Sequence, residues 1–130
     1  MAINILIADD HDDNRELLQL LLTGAGYSVR EASDGHECLA LARAEHPDLI
    51  LMDLSMPGMD GWTVFSELRN DPQTGAIPCV AVTAHAGLDR RHALEIGFSA
   101  YVSKPFRGDD LLATITTVLA NRSSLKQAPR

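Results

Sequence analysis

The chain has little of what would fix it in a membrane, in an oxidising compartment or on nucleic acid. No apolar run approaches the roughly 20 residues of a membrane-spanning helix. The N-terminus, Met1-Ala2-Ile3-Asn4, has neither the positive stretch nor the cleavage site of a secretory signal. Two cysteines, Cys38 and Cys79, are too few for a disulfide framework. Neither sits at a metal-ligand spacing, and both read as small core residues. His11, His36, His46 and His92 are scattered, form no pair with metal spacing and receive no role. Basic side chains are scarce: 11 Lys and Arg stand against 18 Asp and Glu, for a formal net charge of −7. That balance argues against a binder of phosphate backbones or acidic membranes. Internal repeats, low-complexity tracts and linkers are missing as well. At 130 residues, 45% of them hydrophobic, the chain fits one domain with a sizeable core and not two. The expectation is a soluble, reduced, cytoplasmic domain.

What is present is an alternation of short β-branched runs with stretches of helical period. Ile3 to Ala8 is apolar on both faces, as a buried strand would be. Asp12, Asp13 and Asn14 then offer helix caps, Leu17, Leu18, Leu21 and Leu22 fall at helical spacing, and Gly24 and Gly26 end the helix. Tyr27 to Ala32 is a second strand, placed at an edge because Ser28, Arg30 and Glu31 interrupt its apolar face. Ser33-Asp34-Gly35 opens a second helix, stopped by His46-Pro47. Leu49 to Met52 is a third strand and runs directly into Asp53. Asp60-Gly61 starts a third helix with the stripe Val64, Phe65 and Leu68, and Cys79 to Thr83 is the fourth strand. Leu88 to Ile96 makes a charge-rich helix with a weak apolar face, expected to be the least firmly packed. Ala100 to Ser103 is the fifth strand, and Leu111, Leu112, Ile115, Val118 and Leu119 stripe the last helix. Asn121 to Arg130 is polar and expected to fray. Five strands alternating with five helices predict an α/β fold, a (βα)5 doubly wound parallel sheet of order 2-1-3-4-5, flavodoxin-like.

In such a sheet, ligands bind beyond the carboxyl ends of the strands, where the strand order reverses. Strand 1 ends in Asp9-Asp10, strand 3 in Asp53 and strand 4 in Thr83, while strand 5 leads into Lys104. Three carboxylates in one crevice repel one another unless a proton or a cation joins them. Oxygen ligands suit a hard ion, and Mg²⁺ takes few carboxylates while keeping waters and a phosphate. A carboxylate beside Mg²⁺, a hydroxyl and an ammonium match the needs of aspartyl-phosphate chemistry. Taken singly, Asp9-Asp10 could cap a helix, Thr83 end a strand and Lys104-Pro105 form a turn. Their convergence favours the chemical assignment. Trp62 reads as packing.

The string Asp53-Leu54-Ser55-Met56-Pro57-Gly58-Met59-Asp60-Gly61 resembles the phosphoacceptor loop of bacterial response-regulator receiver domains. The likeness spans residues 3 to 120 and includes the acidic pair, Thr83-Ala84 and Lys104-Pro105-Phe106. It implies that Asp53 accepts a phosphoryl group from a sensor histidine kinase or histidine phosphotransfer protein. It implies Mg²⁺ on Asp10, Asp53 and the Ser55 backbone carbonyl, with Asp9 acting through water. Thr83 and Lys104 would hold the phosphoryl group, and Tyr101 would change rotamer when Thr83 moves. Ser55 and His85 would tune hydrolysis, and the bond before Pro105 would be cis.

The resemblance implies a single-domain switch of chemotaxis- or cell-cycle-regulator type. Residues 1–121 form the domain and 122–130 a polar tail. The chain would be no enzyme beyond its own phosphorylation and dephosphorylation. It would signal through a protein target at the face of helix 4, strand 5 and helix 5, with no nucleic acid or membrane partner. No residues remain for a separate output domain, although a receiver cut from a hybrid histidine kinase would read alike. A haloacid-dehalogenase-type phosphatase would want a second Asp where Ser55 stands. A flavodoxin-like binder would want a hydroxyl- and Gly-rich loop after strand 1. A receiver serving only as a phosphorylation-independent interaction domain would not need every chemical position filled.

Overall fold

The computed structural model describes residues 2–84 and 88–127, without the side chains of residues 88, 89 and 123–127. Among the described residues, strands and helices alternate as β1 (Asn4–Ala8), α1 (Asp12–Gly24), β2 (Ser28–Ala32), α2 (Gly35–Glu45), β3 (Leu49–Met52), α3 (Gly61–Asn70), β4 (Cys79–Thr83), α4 (Leu88–Ile96), β5 (Ala100–Ser103) and α5 (Gly108–Gln127). The strands pair in parallel in the order β2-β1-β3-β4-β5. Parallel neighbours need crossovers, and helices on both faces of the sheet supply them.

Alternation along each central strand sends side chains into two cores. Ile5, Ile7, Leu49, Leu51, Val80 and Val82 meet Leu18 and Leu22 of α1 and Leu111, Ile115, Val118 and Leu119 of α5. Leu6, Ala8, Ile50, Met52, Cys79 and Ala81 point the other way. They meet Cys38, Leu39 and Ala42 of α2, Val64, Phe65 and Leu68 of α3, and Ala93 of α4. β1 and β3 are therefore buried on both faces, which is why their sequences are continuously apolar. β2 lies at an edge and exposes Ser28, Arg30 and Glu31.

Local chemistry sets two of the helix starts. The Asp34 side chain accepts from the Glu37 amide, and the Glu37 carboxylate reaches back to the Ser33 amide at 2.6 Å, a reciprocal cap for α2. Asp60 caps α3 by accepting from the Thr63 amide at 2.9 Å. α1 differs from expectation. Its cap is His11, which makes no side-chain cap bond, while Asp12 and Asp13 sit inside the first turn and favour the helix through its dipole. Leu17, assigned to the buried stripe, is also exposed; the stripe narrows to Leu18 and Leu22, with Leu21 half-buried.

α5 likewise continues to Gln127 instead of fraying at Asn121. No Pro or Gly interrupts 121–127, and Arg122 is tied at Nη1 to Asp48 Oδ1 at 2.9 Å. Asp48 also accepts from the Asn4 amide at 2.8 Å, so the ends of α5, β1 and β3 are joined. Gly61 is required by a close approach. A Cβ there would stand 2.7 Å from the Asp53 carbonyl oxygen and 2.8 Å from Leu54 Cα, both backbone atoms.

Candidate functional site

The register of the sheet assembles the site. Ala8 pairs with Met52, so Asp9 and Asp53 emerge side by side, and the Asp53 amide donates to the Ala8 carbonyl at 2.9 Å. Thr83 pairs with Ser103, and the Lys104 amide donates to the Thr83 carbonyl at 2.8 Å. The residues after β1, β3 and β5 thereby meet at one end of the sheet, next to the last residue of β4. The Lys104–Pro105 peptide is cis.

Asp9 and Asp53 are buried, an arrangement that costs free energy unless each carboxylate is partnered. Both are. Lys104 Nζ stands 3.1 Å from Asp9 Oδ2 and 3.1 Å from Asp53 Oδ2. Asp53 Oδ1 accepts from the Ser55 amide at 2.8 Å, and Asp9 Oδ1 accepts from the His11 amide at 2.9 Å. Burial alone would lower the pKa of Lys104, but the charges of Asp9 and Asp53 and its hydrogen bonds to them hold it above the ordinary lysine value. The ammonium is thus a fixed positive charge on the floor of the crevice.

At this end of the sheet, two side-chain polar atoms of the described residues are buried without a hydrogen-bond partner: Asp10 Oδ1 and the Thr83 hydroxyl. Native interiors rarely leave such atoms idle, and both belong to residues that the sequence singled out. One donor atom each from Asp9, Asp10, His11 and Asp53 can be chosen so that all lie within 4.8 Å of one another. That spacing, the oxygen-rich donor set and the orphaned Asp10 oxygen fit a divalent cation such as Mg²⁺.

The sequence-singled residues sort into three groups. Asp9, Asp10, Asp53, Thr83 and Lys104 stand at the site. Ser55 touches it through its amide. Tyr101 is buried in the core on the α4 side of the sheet, paired in register with Ala81, two residues before Thr83. His85 lies outside the described residues. Trp62 packs as expected, with ring centroids 5.0 Å from His92 and 6.0 Å from Phe98. Cys38 and Cys79 are buried core residues, and burial pushes each thiol up to about 12, so neither offers a thiolate.

Sequence reasoning missed two supports. Arg15 donates from Nη1 to the Asp9 carbonyl at 2.7 Å and from Nε to Glu31 at 3.3 Å, and pairs with Asp12, pinning the acidic turn to β2. His11, set aside for want of a second histidine, is brought in by the turn after Asp10.

A cavity of about 390 Å³ opens beside Lys104, lined by Asn14, Leu17, Leu18, Ala84, Pro105 and Phe106. A larger one of about 550 Å³ sits at the opposite end of the sheet, around Arg69, Pro78, Ser99 and Arg122, away from the carboxylates.

Comparison with known proteins agrees with this fold. The response regulator receiver domain family matches residues 5–116. The response regulator PleD of Caulobacter vibrioides is 45% identical over 113 residues, covering 86% of this chain and 24% of PleD. The chain spans between about a quarter and about half the length of the curated relatives it matches. A putative response regulator from Chloroflexus aurantiacus superposes with a TM-score of 0.87 at 35% identity, covering 92% of this chain and 99% of that one. The Vibrio cholerae chemotaxis protein CheY4 gives 0.85 at 29% identity, covering 91% and 99%.

Proposed function

This chain belongs to the response regulator receiver domain family, and from that membership we propose that it is a phosphorylation-operated switch whose phosphoacceptor is Asp53. The observation that carries the assignment is the Asp53 carboxylate itself: buried, held by the Ser55 amide at one oxygen and by Lys104 at the other. A group so oriented is ready for in-line attack on phosphorus. The donor is a phosphohistidine of a sensor kinase or phosphotransfer protein. Its N–P bond breaks as a bond forms from an Asp53 oxygen to phosphorus, and the imidazole leaves.

Asp10, Asp53 and the Ser55 carbonyl would hold Mg²⁺, with Asp9 reaching it through water. Bound there, the ion supplies countercharge for the phosphoryl oxygens. Lys104 does the same from the opposite side. Its ammonium transfers from Asp53 to the new phosphoryl group without leaving the crevice. A lysine is needed for this compact charge, so Lys104→Arg is not a neutral change.

The unpartnered Thr83 hydroxyl is the natural donor to the third oxygen. As Thr83 turns inward, Tyr101 takes the vacated side and α4 shifts. α4 packs on β5 and exposes Leu94 and Ile96, and the face of α4, β5 and α5 presents the output to a protein target. Ser55 and His85 tune hydrolysis of the phosphoryl group. The chain acts on no substrate beyond this group, with residues 1–121 as the switch and the polar segment after them carrying α5 on to Gln127. No helix among the described residues is long and apolar enough to cross a membrane, and we place the switch in the cytoplasm with its donor. The phosphatase alternative lacks its acid, because Ser55 stands two residues after Asp53.

Intact mass after incubation with a small phosphodonor and Mg²⁺ tests the assignment. Wild type should gain one phosphoryl group that chelation of Mg²⁺ prevents, and Asp53→Asn should gain none. An equal adduct in Asp53→Asn, or none in wild type with any donor or metal, would overturn it.

A further inference from the structure

His11 is the crevice residue left without a role above. Its Nδ1 lies 3.3 Å from Asp9 Oδ1 and 3.3 Å from Asp10 Oδ1, the latter being the buried oxygen with no hydrogen-bond partner. The His11 amide is fixed on Asp9, but the ring is 63% exposed, so the imidazole can turn toward the carboxylates without disturbing the core. Its imidazole nitrogen differs in kind from the three carboxylates beside it. Mg²⁺ favours oxygen donors, whereas Zn²⁺, Co²⁺ and Ni²⁺ accept imidazole readily and bind mixed nitrogen and oxygen sets more tightly.

We propose that His11 Nδ1 is a metal ligand that lets this crevice take a zinc-class divalent ion on His11, Asp9, Asp10 and Asp53, in competition with Mg²⁺ on the oxygens alone. The inference rests on the crevice being a cation site, as proposed above, and adds which ions it selects. The ion would replace the contact between Nδ1 and Asp9, leaving Nε2 to carry the ring proton. Because Asp10 and Asp53 are shared ligands, a zinc-class ion would keep Mg²⁺ out of the crevice.

The test is calorimetric titration of the whole chain with Zn²⁺ and, separately, Mg²⁺, for wild type, His11→Ala and Asp10→Asn/Asp53→Asn. The histidine ring nitrogens are followed by NMR in wild type. Removing His11 should weaken Zn²⁺ binding by about tenfold or more while Mg²⁺ binding moves by no more than about threefold, and Zn²⁺ should shift the His11 Nδ1 resonance. Unchanged Zn²⁺ affinity in His11→Ala, or unmoved His11 resonances, would overturn the proposal while leaving the cation site standing. Failure of both ions to bind wild type would remove the cation site itself. Zn²⁺ affinity that survives Asp10→Asn/Asp53→Asn would assign the ion to other surface histidines and overturn the proposal too.

Discussion

The two walls of the crevice are built to different standards. On the wall formed by the ends of β1 and β3, Asp9 and Asp53 are buried and each has both carboxylate oxygens partnered, while Arg15 pins the turn behind them. On the wall formed by β4, α4 and β5, the Thr83 hydroxyl has no hydrogen-bond partner among the described residues, and α4 leaves Leu94 and Ile96 in solvent. The first wall has its buried carboxylates satisfied and the second leaves a buried hydroxyl unsatisfied. A switch needs both: reaction is fast where groups are preorganised, and a conformational change is cheap where few contacts must be broken. In the function proposed above, the first wall would receive the signal and the second would pass it on.

The comparison can be broken most forcefully at Lys104. Lys104→Met leaves two buried carboxylates without their shared cation, which should cost about 3 kcal/mol at neutral pH. The pH dependence has a definite sign. Lys104 has a raised pKa in the folded state, so its contribution is fully present below the unfolded lysine value of about 10.4. It is lost as pH rises through the higher folded value. Urea unfolding in the presence of a chelator should show the gap between wild type and Lys104→Met at pH 7 and a smaller gap above that folded value. An equally stable variant at pH 7 would mean that the two carboxylates do not depend on this cation.

Gly61→Ala attacks the same wall from behind and should have a smaller effect. The added Cβ would meet the Asp53 carbonyl oxygen and Leu54 Cα, backbone that carries the proposed phosphoacceptor and cannot rotate away. Overpacking of this kind should cost about 2 kcal/mol and slow Asp53 phosphorylation, read by thermal unfolding and by the rate of adduct formation. Wild-type values in both would show that α3 can slide along this wall without disturbing Asp53.

Much of the first wall was legible in the sequence, because its determinants are local or periodic. Apolar runs on both faces identify β1 and β3 as central parallel strands, and topology then carries Asp9 and Asp53 to the same edge. Asp34 and Asp60 announce the helices they cap. What stayed hidden depends on how helices rotate and how turns close. Leu17 fits the helical period of α1 as well as Leu18 does, and only packing against the sheet decides which is buried. His11 enters the cluster through a turn that pairing rules for metal ligands do not anticipate. Arg15 acts through a backbone carbonyl, which leaves no trace in side-chain spacing. Polar 121–127 stays helical with Arg122 anchored on Asp48, a contact 74 residues apart in sequence.

The smallest effect is also the sharpest test of the second wall, because it should go the opposite way. Thr83 is fully buried at the end of β4 and its hydroxyl is unpartnered. Thr83→Val keeps the β-branched shape that a strand favours and replaces an unsatisfied hydroxyl by a methyl group. A buried polar group without a partner costs free energy, so the resting protein should gain about 1 kcal/mol. The same change should remove the signal. Asp53 should still accept a phosphoryl group, but the Trp62 emission change that follows displacement of His92 on α4 should disappear. Stabilisation with loss of that signal would show that the protein keeps an idle hydroxyl in its core, at a cost in stability, for use only once Asp53 is phosphorylated. Destabilisation of the resting state would mean that Thr83 already has work there, and the contrast between the two walls would fail at its central residue.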